Sequence, residues 1–177
     1  IPAPDPAKLD AARACGTRVM ELVAAGISAR SFVTPASIRN AAVAATATAG
    51  STNAVLHLLA IAREAGFTFA LDEFDAISRR TPVITDLKPG GKYFAPDMHL
   101  AGGSRLLGQR LQEAGLITDE PTVSGRTLFE EFSSAAEREG QKVIYSAANP
   151  VKARGGYGIV YANIAPDVFV VKLSGPN

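Results

Sequence analysis

Up to about residue 140, apolar side chains recur at the three-to-four residue spacing of helices, and beyond it they gather in short β-branched runs. Between Pro6 and Gly26, Leu9, Ala12, Val19, Leu22 and Val23 follow helical spacing, and Gly26 offers an end. Thr34 and Pro35 make an N-cap and first-turn pair for an Ala-rich second helix over Ile38 to Thr46. After Ala49 and Gly50 a third helix sets Val55, Leu58, Leu59 and Ala62 on one face and stops at Gly66. Asp72 and Asp75 open a short helix carrying Phe74 and Ile77, and Pro82 to Thr85 reads as a brief extended segment. Residues 88–93, Lys-Pro-Gly-Gly-Lys-Tyr, form a loop, and a single helix is expected from Pro96 to Ala114 with Gly115 beyond it. Thr127 and Glu130 have the spacing of a capping box for a short helix through Phe132.

Three strands are expected after Gly140, at residues 142–146, 158–163 and 168–173, separated by Asn-Pro, Arg-Gly-Gly and Ala-Pro-Asp turns. The fold class is therefore α+β. A helical segment (1–140) precedes the first strands of a β-rich part (141–177), and three strands alone would leave an exposed edge, so that sheet is expected to be incomplete.

Composition narrows the function classes. The 177 residues include 18 basic and 17 acidic side chains, a net charge of +1, with no basic run that could follow a phosphate backbone, so nucleic acid is not expected as a partner. No apolar run reaches the roughly 18 residues that span a bilayer, and no membrane partner is expected. The single cysteine, Cys15, rules out an internal disulfide framework and cannot alone hold zinc or an iron–sulfur cluster; a reducing, cytoplasmic compartment fits. The first residues, Ile-Pro-Ala-Pro-Asp-Pro, carry no signal-peptide pattern and no initiating Met, which reads as an interior linker of a longer protein.

Candidate chemistry concentrates at Gly50-Ser51-Thr52-Asn53, where hydroxyls and helix-start amides meet. Such a mouth can hold an anion or carboxylate, and the plainer reading is ordinary helix capping. His57, one turn on, can face the same place or be a hydrogen-bonded core imidazole, and His99 is read in the same two ways. The loop around Lys88 lacks the spacing of a nucleotide-binding loop, yet its lysines can reach a carboxylate. Gly102 and Gly103, inside the expected helix, point to close packing or a kink. Asp72, Glu73, Glu130 and Glu131 complement helix dipoles at first turns, and Cys15 is read as a packing residue.

Four of these segments, Ala49 to Gly66, Arg79 to Tyr93, Thr122 to Leu128 and Asn163 to Gly175, occur together in the order and spacing of dihydroxy-acid dehydratases and their sugar-acid dehydratase relatives, which the chain resembles over nearly its whole length. The resemblance implies a hydro-lyase that turns a 2,3-dihydroxy acid into a 2-keto acid. It further implies an iron–sulfur cluster as Lewis acid, a magnesium ion on the substrate carboxylate, and a homodimer. The family's cluster cysteines, magnesium ligands and serine base do not map here, so no catalytic residue and no metal ligand is expected in this chain, and alone it should hold no cofactor and be inactive. Ser51, Thr52 and Asn53 match the family's Gly-Gly-Ser-Thr-Asn motif beside the pocket, with His57 and Lys88 as secondary candidates. Ala49 and Ala162 stand where the family has glycine, which allows an altered substrate choice.

The leading expectation is part of an enzyme acting on 2,3-dihydroxy-3-methyl acids in branched-chain amino acid biosynthesis. An aldonate dehydratase is the alternative within the family. A non-catalytic small-anion-binding or assembly module is the alternative of another class, and a truncation or proteolytic product of an intact enzyme is a third.

Overall fold

The computed structural model describes residues 1–173, and within 165–167 the backbone alone. Ser174 and Gly175, the end of the last family-like segment, lie outside the described residues. The element order is α1 (Ala7–Ala24), a 3₁₀ turn (Ala29–Phe32), α2 (Pro35–Ala47), α3 (Asn53–Glu64), α4 (Leu71–Arg80), α5 (Ala95–Ala101), α6 (Gly103–Glu113), α7 (Leu128–Phe132), β1 (Tyr157–Ala162) and β2 (Ala165–Lys172). The architecture is α+β: helices around a main apolar core and a smaller cluster of Ala101, Leu106, Val143 and Ile144, with an antiparallel hairpin at the C-terminal end.

The core forms where the amphipathic faces of α2, α3, α4 and α6 meet. Val43, Val55, Phe74 and Leu111 are each at most 1% exposed, and burying side chains of this size contributes about 1.5–3 kcal/mol apiece. α2 starts as its sequence dictates: the Thr34 hydroxyl accepts from the Ser37 amide at 3.0 Å, and the Ser37 hydroxyl accepts from the Thr34 amide at 2.9 Å. The capping box of α7 forms between Thr127 and Glu130 as its spacing demands. α1 is helical as expected, yet none of its residues is buried and Leu9, Val19, Met20 and Val23 face solvent. Cys15 lies on this helix and is exposed, so it is not the packing residue its small neighbours indicated.

Two expectations about elements are corrected. The single helix over 96–114 is two, because Gly102 breaks it with φ +137. A Cβ there would lie 2.8 Å from Leu106 Cβ and 2.9 Å from the Ala136 carbonyl, so close packing sets the break, as the glycine pair indicated. The segment 142–146 is not a full strand. Its one face pairs with the 84–86 segment, through Asp86 N to Val143 O (2.9 Å) and Tyr145 N to Ile84 O (2.8 Å). Its other face is taken by the Gln141 side chain, whose Oε1 accepts from Val143 N (2.8 Å) and Ile144 N (2.9 Å) while Nε2 donates to Ile144 O (2.6 Å). A side chain that satisfies these groups leaves no ladder edge for a further strand.

The remaining two strands pair Tyr157 with Lys172, Ile159 with Val170 and Ala162 with Ala165, with an irregularity between Val160 and Ala162. The reversal falls at Asn163–Ile164, so residues 165–167 begin β2 and are not the turn between strands. Hydrogen bonds and ring contacts seat β1 on α4: Ser78 Oγ donates to the Tyr157 carbonyl at 2.9 Å, the Gly155 amide donates to the Ser78 carbonyl at 3.0 Å, and Tyr161 Oη donates to Asp72 Oδ1 at 2.6 Å.

α2 ends in a Schellman motif, with Ala49 N to Thr46 O and Gly50 N to Ala45 O both at 3.0 Å. The residue that must turn left-handed is Ala49, at φ +44, where glycine is the usual occupant and a Cβ costs about 1–2 kcal/mol. Ala49→Gly is therefore expected to raise the stability of the chain by about 0.5–1 kcal/mol after allowing for glycine's greater freedom when unfolded, read as a higher urea midpoint. Gly155→Ala is expected to do the reverse, by about 1–3 kcal/mol, since its Cβ would lie 2.2 Å from the Ser78 carbonyl and 2.5 Å from Thr46 Cγ2 in a filled core.

Candidate functional site

The turn between α2 and α3 carries the sequence-predicted site residues. Ser51 and Asn53 are exposed and Thr52 is half-buried. The Ser51 hydroxyl accepts from the Asn53 amide at 3.2 Å, Ala54 N donates to Ser51 O at 3.0 Å, and Val55 N donates to Thr52 O at 3.1 Å. The Asn53, Ala54 and Val55 amides are thus occupied inside the turn, while those of Ser51 and Thr52 have no hydrogen bond among the described residues. What the turn offers outward is side-chain chemistry: the Ser51 hydroxyl proton, the Thr52 hydroxyl and the Asn53 carboxamide, the last two with no hydrogen bond among the described residues.

His57 lies one turn along α3 and is exposed, so the core-imidazole reading is excluded for it, as it is for exposed His99. Lys88 is exposed in its loop with its ammonium 4.4 Å from the centre of the Phe94 ring, and no hydrogen bond or ion pair among the described residues joins it to the 51–53 turn. That loop is organised by Asp86, a nearly buried residue the sequence did not single out. The Asp86 carbonyl accepts from Lys92 N (3.2 Å) and Tyr93 N (3.0 Å), and its carboxylate accepts from Lys92 N at 3.1 Å. A Cβ on Gly91 would lie 2.4 Å from the Asp86 carbonyl carbon, so the glycine there serves close packing. Among the described residues no three His, Cys, Asp or Glu side chains group as metal ligands. No helix among them is long and apolar enough to cross a membrane.

A residue bonded to this turn was not legible in the sequence. Tyr157, at the start of β1 and 3% exposed, sends its hydroxyl to the Ala45 and Ser51 carbonyls, 3.2 Å from each. Its ring meets Phe74 edge-on at 5.5 Å. Burial pushes its phenol up to about 12, so the hydroxyl stays a donor at any neutral or mildly alkaline pH. The partners lie 112 and 106 residues away in sequence, beyond any local pattern; a buried Tyr in need of an acceptor was the only signal available.

The family model described as the N-terminal part of dihydroxy-acid/6-phosphogluconate dehydratases matches residues 1–131. The chain belongs to this family. It is similar to the dihydroxy-acid dehydratase of a Thermus thermophilus strain, 47% identical over 177 residues covering 99% of this chain and 32% of that protein. It is similar to that of a Roseiflexus species, 46% identical over 176 residues covering 99% of this chain and 32% of that protein. The chloroplastic enzyme of Arabidopsis thaliana is 43% identical over 177 residues, 99% of this chain and 29% of that protein. The chain therefore spans about a third of the length of these curated relatives.

The departure from the family's glycine at Ala49 takes a physical meaning from the fold. The Ala49 methyl packs against Gly156, where an added Cβ would lie 2.8 Å from it, so the substitution bears on the stability of the turn.

The buried phenol makes stability depend on alkaline pH. Below pH about 10 the hydroxyl is protonated in both folded and unfolded chains. As pH rises toward about 12 the unfolded chain ionises first, so its contribution is lost. Tyr157→Phe is expected to flatten the fall in urea midpoint over that window, and an unchanged pH slope would refute the assignment.

Proposed function

We propose that this chain forms part of a hydro-lyase that dehydrates a 2,3-dihydroxy acid to a 2-keto acid, in which it supplies one wall of the substrate pocket. In such a reaction the proton on C2 and the hydroxyl on C3 leave together as water, and the enol left behind gains a proton at C3 and loses the one on its C2 hydroxyl to become the ketone. Kinship with proteins named dihydroxy-acid dehydratase over nearly the whole chain supports the reaction. The observation that carries the local role is the 51–53 turn, where the Thr52 hydroxyl and the Asn53 carboxamide have no partner among the described residues, on a junction that the Tyr157 hydroxyl ties to α2. Hydroxyls and an amide suit such a wall because they donate to a carboxylate or to substrate hydroxyls without adding a charge that must be desolvated. Ser51, Thr52 and Asn53 are accordingly assigned to hold the acid, with His57 and Lys88 at the rim, and none of them to moving a proton.

The iron–sulfur cluster and magnesium ion implied by the resemblance do not fit the donor set of the described residues, whose one thiol is the exposed Cys15 on α1. Both are assigned to other parts of the full-length enzyme, and no step is routed through them here. The proposal extends to a cytoplasmic homodimer acting in branched-chain amino acid biosynthesis. In it, residues 1–140 complete the helical, cluster-binding domain and 141–177 open a β-barrel-like one.

The test is kinetic, on the enzyme that contains this chain. Keto-acid release from a 2,3-dihydroxy-3-methyl acid is expected, and release from an aldonate alone would reject that substrate class. Asn53→Ala is expected to raise KM about ten- to a hundred-fold, the loss of one hydrogen bond to a charged group. A KM equal to wild type for Ser51→Ala and Asn53→Ala alike would reject the pocket assignment.

A further inference from the structure

We infer that Tyr157 is a positioning residue for the substrate pocket, its buried hydroxyl clamping the end of α2 to the Ser51–Asn53 turn. The inference rests on the reading that this turn faces the substrate, and it adds a residue that lies on a different element, over a hundred positions away.

Geometry carries it. The turn is a weak point by composition: it must pass through left-handed backbone at Ala49 with a Cβ in place, and α3 begins without a side-chain cap at Thr52. Short-range hydrogen bonds alone hold it from within. Tyr157 holds it from outside, and is itself held at two places on α4, with its ring edge-on to Phe74 and its carbonyl accepting from Ser78 Oγ. One hydroxyl proton shared between the Ala45 and Ser51 carbonyls fixes the distance from the last turn of α2 to the first site residue. Gly50 records how tightly, since a Cβ there would lie 3.1 Å from the Tyr157 hydroxyl oxygen. Neighbouring Gly156 packs against the Ala49 methyl, so the Gly156–Tyr157 pair grips both halves of the turn. Loss of the hydroxyl would leave the core filled, since a Phe ring occupies the same space, while freeing Ser51 to shift relative to α2. Productive catalytic geometry tolerates only small displacements, so this loss is expected to appear in substrate binding.

The experiment compares Tyr157→Phe, Phe74→Leu and Asn53→Ala in the enzyme that contains this chain, reading KM, kcat and thermal midpoint for each. Tyr157→Phe is expected to raise KM about three- to ten-fold, the net worth of one neutral hydrogen bond, with kcat changed less than about two-fold. Phe74→Leu loosens the ring contact but leaves the hydroxyl in place. It is expected to lower the midpoint at least as much while leaving KM near wild type. In the Asn53→Ala background, Tyr157→Phe is expected to raise KM by a smaller factor than in the wild-type background, because one of the groups it positions is gone. If Asn53→Ala raises KM and Tyr157→Phe does not, or if Phe74→Leu raises KM as much as Tyr157→Phe, the positioning role is overturned and the pocket assignment stands. If Asn53→Ala and Ser51→Ala leave KM unchanged, the pocket assignment fails, and the role inferred for Tyr157 fails with it.

Discussion

One desolvated phenol ties the described fold together. Tyr157 is buried where α2, α3 and α4 meet the first strand, and its ring, carbonyl and hydroxyl each serve a different neighbour: Phe74, Ser78 and the carbonyls at the α2–α3 junction. A buried hydroxyl without an acceptor costs about 1–3 kcal/mol, so the position of β1 is set by where acceptors lie as well as by apolar contact. The hairpin is thereby docked in one register, with Tyr161 and Asp72 adding a second, exposed link to α4.

Around that point the helix ends show how much depends on single backbone conformations. α1, α3 and α6 close with glycine in left-handed backbone at Gly26, Gly66 and Gly115, each with the paired hydrogen bonds of a Schellman ending. α2 closes in the same way but with Ala49, and this is the ending that leads into the candidate site. Packing offsets only part of the strain there: the methyl that makes the conformation unfavourable is also the surface on which Gly156 rests. Ion pairs such as Arg110 with Glu137 and Arg105 with Glu131 are solvent-facing and contribute little beside these contacts.

The site and the fold are therefore one problem. The 51–53 turn leaves the Thr52 hydroxyl and the Asn53 carboxamide without a partner among the described residues, which makes an ordinary helix start a small polar surface. Tyr157, on the hairpin, ties it to the end of α2. α1 is tied to the rest through Arg18, whose Nε donates to the Val123 carbonyl at 2.6 Å, while its Leu9, Val19, Met20 and Val23 side chains are exposed.

The chain by itself determined the helices, their caps and the family. Thr34, Thr127 with Glu130, Gly26, Gly66 and Gly115 act through neighbours a few residues away, and such local rules are legible in the order of residues. So was the break at Gly102 as a glycine pair where no helix prefers one, although its consequence, two helices in place of one, depended on Leu106 and Ala136. Ser51 to Asn53 were legible as a motif. Tertiary structure alone decided that 142–146 pairs with the 84–86 segment, and that His57, His99 and Cys15 face solvent. It alone brought Tyr157 to Ala45 and Ser51. The physical reason is range: capping and helical periodicity act over three or four residues. Burial and the search of a buried polar group for its partner act through space, between segments whose separation along the chain says nothing of their distance.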